Sequence, residues 1–226
     1  MEIRIEYRPS YSLAMVRLSP NETIQSEAGA MVGMTSGIEL KTEARGGLLK
    51  SLTRSMLGGE SFFLNSYQAP AEGGEILLAP TLPGDMMVRQ MRGETLLVQS
   101  GAYVASSEGI DVSAKWGGPK TFFAREGLIL LKVSGTGSLV LSSYGAIHEM
   151  VLARDMTYTV DTGHLVAFNE KLGFNVRTVG GLKSTLFSGE GLVVDLSGPG
   201  EFLMQTRSQD AFLSWLIPKL PDRSSD

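Results

Sequence analysis

Three stretches of the chain align without a gap and share a glycine at the same internal position. Each is an apolar run, a short loop that ends in glycine, and a second apolar run. The stretches are Ile76–Met91, Ile129–Tyr144 and Leu192–Arg207, and the aligned glycines are Gly84, Gly137 and Gly200. A repeat constrains the fold strongly, because each copy must form the same unit and bury its apolar face against its neighbours.

The shared glycines predict three β-hairpin turns. Two of the loops read Pro-Gly, and the middle one has Thr136 in place of proline. Proline presets φ near −65° at the second position of a type II turn, and glycine supplies the positive φ of the third. A turn with a glycine bulge fits the same pattern. Under either geometry the three glycines are structural.

A second repeated element supports the first. Val98–Ala105 aligns without a gap with Val160–Ala167, which places Gly101 on Gly163. A weaker third copy places Gly29 in the same slot. Short aromatic segments follow each of these elements; they begin at Glu60, Lys120 and Ser184. The order of elements is therefore constant along the chain.

This order divides the chain into three copies, at about residues 11–91, 92–144 and 145–207. We expect one compact body over residues 1–210. Three copies of a short, glycine-punctuated β unit predict an all-β fold that closes into a pseudo-threefold assembly. The alternating segment Met1–Tyr7, with Ile3, Ile5 and Tyr7 on one face, is predicted to add a strand.

Two segments interrupt the β pattern and predict short helices. The first, Arg45–Gly58, has an apolar stripe at helical spacing and three cations, Arg45, Lys50 and Arg54. It either covers one end of the β core or contacts an anionic surface. The second, over residues 208–220, begins at a capping Ser208. Its apolar side chains pack on the β core or on another subunit, and residues 221–226 are predicted to be a disordered tail.

Composition excludes several classes of chemistry. The formal net charge is −4, which argues against a nucleic-acid binder. There is no cysteine, which excludes thiolate chemistry and fits a reducing compartment. The two histidines, His148 and His164, are too few for an open metal site, and no nucleophile elbow or phosphate-binding glycine motif occurs. No catalytic residue, metal or cofactor is therefore predicted.

Several ordered motifs resemble one protein family. Ser26–Met34, Gly58–Asn65, Phe122–Leu131 and Val160–Asn169 are similar to segments of prokaryotic relatives of the "altered inheritance of mitochondria" proteins. The resemblance implies a triplicated form of the double-stranded β-helix of the tryptophan RNA-binding attenuation protein. It implies no catalytic residue, and its mitochondrial members are linked to inner-membrane organisation. RNA and tryptophan binding are not expected, because a shared fold does not carry function.

These observations predict a non-enzymatic scaffold in the cytoplasm that associates with itself. Charged residues make up only 19% of the chain, so few charged side chains are available for a surface that faces water. Two alternatives stay open. One is a peripheral membrane or anionic-partner module that uses Arg45, Lys50 and Arg54; the other is a small-ligand binder or enzyme with a site between the copies.

Overall fold

The computed structural model describes residues 1–41, 64–113, 128–179 and 192–221. Within these ranges the chain is mostly β-strand, which confirms the all-β prediction. The strands are β1 (Glu2–Glu6), β2 (Leu13–Leu18), β3 (Thr23–Glu27), β4 (Met31–Met34), β5 (Glu39–Lys41), β6 (Leu64–Gln68), β7 (Gly74–Leu78), β8 (Met86–Gln99), β9 (Tyr103–Ser107), β10 (Ile110–Ser113), β11 (Leu130–Ser142), β12 (Ile147–Leu152), β13 (Thr157–Asp161), β14 (Leu165–Asn169), β15 (Gly173–Thr178), β16 (Leu192–Ser197) and β17 (Gly200–Gln205).

The strands form three sheets, and their pairings are antiparallel. A four-stranded sheet has the order β1-β2-β7-β4, and a three-stranded sheet has the order β13-β16-β15. The largest sheet runs β12-β17-β14-β8-β11-β9-β3-β6-β5, with β10 paired to β11. One arrangement recurs: β7 lies between β2 and β4, the first half of β11 between β8 and β10, and β16 between β13 and β15.

The first strand follows from its alternating side chains. In β1 the exposed charged residues alternate with Ile3 and Ile5, which pack on a core cluster. The prediction placed Tyr7 on the same face, and this is wrong. Tyr7 lies beyond the end of the strand with φ of 59° and is 71% exposed. The left-handed backbone there turns its side chain away from the core.

The three predicted hairpins are wrong, because their two apolar runs do not pair with each other. β7 pairs with β2 and β4, whereas β8 pairs with β11 and β14. β16 pairs with β13 and β15, whereas β17 pairs with β12 and β14. The middle stretch is one continuous strand, β11. In the first and third stretches, Gly84 and Gly200 therefore lie where the chain passes from one sheet to another.

The type II turn prediction fails with the hairpins. Gly84 does not have a positive φ, Gly200 begins β17, and Gly137 lies inside β11 with φ of +145°. A bulge between Ser134 and Thr136 comes just before Gly137. A Cβ on Gly137 would lie 2.1 Å from the Ser107 Oγ. Glycine is required there by its backbone conformation and by the close approach of β9, rather than by a turn.

The second repeated element is only partly in register. Gly101 and Gly163 occupy equivalent 3₁₀ turns, before β9 and β14 respectively. Gly29, with φ of +89°, lies in the turn between β3 and β4. Its topological counterpart is Gly109, in the turn between β9 and β10. Aligning Gly29 with Gly101 is therefore wrong. The residues on both sides of these glycines are small or apolar, so the segment around Gly29 can be aligned in two registers.

The core is divided into three clusters of buried side chains. Each cluster contains fully buried residues from one of the recurring arrangements, such as Ile76 on β7, Val133 on β11 and Leu196 on β16. Burying an aliphatic side chain of this size contributes about 1.5–3 kcal/mol. The middle strand of each arrangement therefore contributes to the stability of its cluster.

The C-terminal segment forms helix α1 (Gln209–Leu216), followed by a 3₁₀ turn over Ile217–Lys219. The Ser208 hydroxyl caps the helix by accepting a hydrogen bond from the Ala211 backbone N–H at 3.4 Å. The predicted helix over 45–58, with its three cations, lies outside the described residues. The aromatic segments, apart from the start of β6, and residues 222–226 also lie outside them.

Candidate functional site

A cavity of about 560 Å³ is lined by residues from all three copies. The loop before β8 contributes one wall and the end of β11 another. The 3₁₀ turns that hold Gly101 and Gly163 contribute the third, and the first turn of α1 closes the side. Two of the glycines that the sequence aligns, Gly101 and Gly163, therefore lie at a common site.

Gln205, at the end of β17, joins two walls of the cavity. Its Oε1 accepts a hydrogen bond from the Tyr144 backbone N–H at 2.8 Å, and its Nε2 donates to the Gly163 carbonyl at 2.8 Å. The Gln205 carbonyl also lies 2.8 Å from the Nδ1 of His164. Both the oxygen and the nitrogen of the Gln205 amide are hydrogen-bonded, so this side chain holds the two walls of the cavity together.

Two loops meet next to the cavity, where Ser143 and Tyr144 belong to its lining. We call residues 83–85 and 143–145 the Gly84 corner. The Asp85 N–H donates to the Gly145 carbonyl at 2.8 Å, and the Ser143 N–H donates to the Asp85 carbonyl at 2.9 Å. The Gly145 N–H donates to the Pro83 carbonyl at 3.2 Å. A Cβ on Gly84 would lie 1.8 Å from the Ser143 carbonyl oxygen. The two loops therefore fit only because Gly84 lacks a side chain.

A buried carboxylate holds the N-terminal loop against this corner. Asp85 accepts two hydrogen bonds from Arg8, at 2.7 and 2.8 Å, and one from the Ser12 hydroxyl at 3.3 Å. The Met86 backbone N–H donates to the same carboxylate at 2.8 Å. The Arg8 hydrogen bond is the main reason that the pKa of Asp85 lies below its usual value, and burial opposes this effect.

We expect Asp85→Asn to destabilise the protein at neutral pH by about 1–2 kcal/mol, since charge-assisted hydrogen bonds become neutral ones. The estimate is modest because half of the Arg8 side chain is exposed to water. The folded-state pKa of Asp85 is lowered, so its contribution is complete above the unfolded-state pKa of about 3.9 and is lost as pH falls through the folded value.

Urea unfolding across a pH series measures this effect. The difference in unfolding free energy between wild type and Asp85→Asn should be constant above about pH 5 and should shrink in more acidic buffer. Asp111→Asn, an exposed aspartate on β10, is the matched control and should leave stability unchanged. A difference of the same size at acidic and neutral pH would contradict the assigned role of the charge.

Helix α1 carries apolar side chains that the rest of the described structure leaves exposed. No residue of the helix is buried. Phe212 makes an edge-to-face contact with the ring of Tyr144, at a centroid distance of 6.2 Å. Trp215 is 59% exposed, and the Lys219 ammonium lies over its ring at 5.4 Å. The sequence left open whether these side chains pack on the core or on another subunit; in the described structure none of the helix residues is buried.

The remaining candidates are spread over the molecule. His148 is exposed on β12 and His164 is half-buried beside the cavity. Among the described residues, no group of three or more acidic or histidine side chains is placed to hold a metal ion. In the same residues, no helix is long and apolar enough to cross a membrane. Arg45, Lys50 and Arg54 lie outside the described ranges.

Sequence reasoning missed Asp85, Ser142 and Gln205. Asp85 gave one usable signal, since it is a lone acid between a glycine and an apolar run, where a charge needs a partner when the run is buried. Ser142 and Gln205 lie near the ends of two of the repeated stretches and gave no signal. Their positions depend on how the copies meet, which the local pattern does not record.

Comparisons with known proteins agree on one relationship. A family model described as mitochondrial biogenesis AIM24 matches residues 3–207. An uncharacterized protein of Streptococcus pyogenes serotype M6 is 27% identical over 238 residues, which covers 100% of this chain and 93% of that protein. A crystal structure of a Streptococcus pyogenes protein has a TM-score of 0.81 at 25% identity, and the match covers 97% of this chain and 99% of that one. The likeness to the tryptophan RNA-binding attenuation protein stays a prediction.

Proposed function

The chain belongs to the mitochondrial biogenesis AIM24 family, and from this premise we propose that it is a non-enzymatic assembly protein whose copies associate through helix α1. The exposed apolar side chains of that helix and of the turn that follows it carry the proposal. Trp215 and Ile217 are each 59% exposed and Leu220 is 54% exposed, on the segment 209–221 that ends the described chain. Exposed apolar side chains close together in the sequence are typical of contact sites.

The charges around this face favour a second copy of the chain as its occupant. Asp210 lies in the first turn of α1 and Lys219 in the 3₁₀ turn that follows it. In a two-fold symmetric contact the same surface faces itself, so antiparallel helices bring the acidic end of one against the basic end of the other. An anionic membrane would instead favour a cationic face.

Self-association also agrees with the composition and with the sheet edges. Only 19% of the residues are charged. Within the described residues β4 is an edge strand that exposes Met31, Val32 and Met34, and an exposed apolar edge promotes further association. We place the assembly in the cytoplasm, because a chain without cysteine fits a reducing compartment.

Sedimentation of the full chain over a concentration series tests the proposal. We expect wild type to be oligomeric, and we expect Trp215→Ser and Ile217→Ser each to weaken association roughly tenfold, because truncating a central apolar anchor costs more than about 1 kcal/mol. The matched control is Tyr11→Ser, which removes an aromatic side chain that is 76% exposed far along the chain from α1.

Three outcomes would count against the proposal: a wild type that stays monomeric, helix variants that associate as tightly as wild type, or a control that dissociates equally. Flotation with anionic vesicles tests the membrane alternative directly. Salt-sensitive binding that charge reversal at Arg45, Lys50 and Arg54 abolishes would favour that alternative instead.

A further inference from the structure

The two edges of the four-stranded sheet carry different side chains. The sheet ends in β1 on one side and in β4 on the other. On β1 the exposed residues are Glu2, Arg4 and Glu6, and charged side chains on an edge strand oppose pairing with a further strand. β4 lies within residues 28–38, which include no charged residue, and its exposed side chains are apolar. Only the β1 edge is therefore protected by charge.

The backbone of β4 presents hydrogen-bonding groups at this edge. In an antiparallel ladder, residues that bond to one neighbouring strand alternate with residues whose N–H and C=O point to the other side. The Ala30 carbonyl accepts a hydrogen bond at 2.9 Å and the Thr35 N–H donates one at 2.9 Å, both on the side of β7. The adjacent Met31 and Met34 therefore point away from β7. In the part of the chain that the structure describes, β4 pairs with β7 alone.

A bulge in β4 explains why both methionines point the same way. The pairing with β7 shifts register between Met31 and Gly33, so Val32 is an extra residue. Without it, two residues three positions apart would point to opposite sides. A two-fold axis between Val32 and Gly33 places Met31 of one copy opposite Met34 of another, twice over. The outward-pointing groups of the two strands then face each other.

We propose that β4 is a second self-association surface, at which the strand pairs antiparallel with β4 of another copy. A second copy suits this edge because residues 28–38 are uncharged, so two acidic chains do not repel each other there. Methionine side chains adapt their shape and are enriched at interfaces. The inference rests on the proposed contact through α1. A copy with two distinct two-fold surfaces binds two neighbours, so assembly continues beyond a dimer.

Sedimentation velocity of the full chain over a concentration series tests the inference. We expect wild type to form species larger than a dimer. Val32→Lys should stop at a dimer, because the two-fold pairing brings two added charges together. Val32 is 59% exposed, so the lysine stays in water and the variant should fold. Trp215→Ser should also stop at a dimer where the α1 contact no longer forms, and the double variant should be monomeric.

Val151→Lys is the matched control. Val151 is 76% exposed on β12, which is also an edge strand among the described residues. The exposed Glu149 lies on the same strand, so this edge already carries a charge. The control makes the same change to net charge and to an exposed edge, and it should assemble as wild type does.

Cross-linking shows directly whether β4 meets its own copy. The chain has no cysteine, so a single introduced cysteine can be joined by a short bis-maleimide reagent only to a second copy. Val32→Cys should give covalent dimers on a denaturing gel, and Val151→Cys should not. An edge that instead pairs with an extended segment of another protein would give no covalent dimer of the purified chain.

The inference is overturned if Val32→Lys assembles as wild type does, if Val151→Lys loses as much assembly, or if Val32→Cys gives no covalent dimer. A wild type that stops at a dimer, with Trp215→Ser monomeric, refutes the β4 contact and leaves the α1 contact standing. If Val32→Lys is monomeric and Trp215→Ser is as large as wild type, the β4 contact is supported and the α1 contact is refuted. The two failures are therefore distinguishable.

Discussion

Replacing Gly84 with alanine is expected to destabilise the protein by about 3 kcal/mol or more, the largest effect of any single methyl group that we propose. The added Cβ would lie 1.8 Å from the Ser143 carbonyl oxygen and 2.8 Å from the backbone nitrogen and oxygen of Gly145. All three atoms belong to the backbone, so no side-chain rotation relieves the contact. Relief requires the two loops to separate, which breaks the hydrogen bonds that join Asp85 to Ser143 and Gly145.

Urea unfolding followed by circular dichroism measures this effect. Gly33→Ala is the matched control, because Gly33 lies in β4 with an ordinary backbone conformation, and a Cβ added there would have no neighbouring atom within 4 Å. We expect that variant to be as stable as wild type, or slightly more stable, since alanine has less freedom in the unfolded chain. If Gly84→Ala unfolds at the same urea concentration as Gly33→Ala, the close approach of the two loops is wrong.

Replacing Phe202 with alanine is expected to cost about 3–5 kcal/mol and to lower Tm by roughly 10 °C. Phe202 is 1% exposed on β17, where it lies opposite Met150 of β12 and Phe168 of β14. Its ring is 5.5 Å from that of Tyr158. The substitution removes a side chain that three neighbouring strands share, and the surrounding strands cannot close the space that it leaves.

Two further variants separate packing from general sensitivity. Phe202→Leu should lose less stability than Phe202→Ala, because more of the space stays filled. Tyr11→Ala removes an aromatic ring that is 76% exposed and should change stability by no more than about 0.5 kcal/mol. Calorimetric unfolding of the three variants gives the order, and equal losses at Phe202 and Tyr11 would refute the placement of Phe202 in the core.

Prediction from the sequence was most reliable where the structure depends on residues that are close together in the chain. Alternation along residues 2–6 was enough to predict β1 and its buried face, and a capping serine was enough to predict the start of α1. The hairpins failed because an apolar run, a glycine and a second apolar run look the same whether the runs pair with each other or enter different sheets. That choice is made by distant strands, such as β2 and β13, which no window around the glycine includes.

The candidate site was harder to predict for the same reason. Its lining combines residues as far apart in the chain as Glu27 and Leu213. Ser142 has no distinguishing neighbour in the sequence, and its place in the cavity depends on where β11 ends in the fold. Asp85 gave a partial signal, since a single acid before an apolar strand needs a partner when it is buried. Arg8 meets that requirement from 77 positions away, which is beyond any local pattern.

The long strand β8 has a consequence for how such a chain can evolve. Its 14 residues pair with β11 on both sides of Gly93, so the boundary between the first two copies falls inside a single strand. Losing the first copy by recombination would cut that strand in two and leave half of β11 without its β8 partner. The first two copies therefore cannot be separated without breaking a strand, whereas the boundary between the second and third copies lies in the loop between β11 and β12.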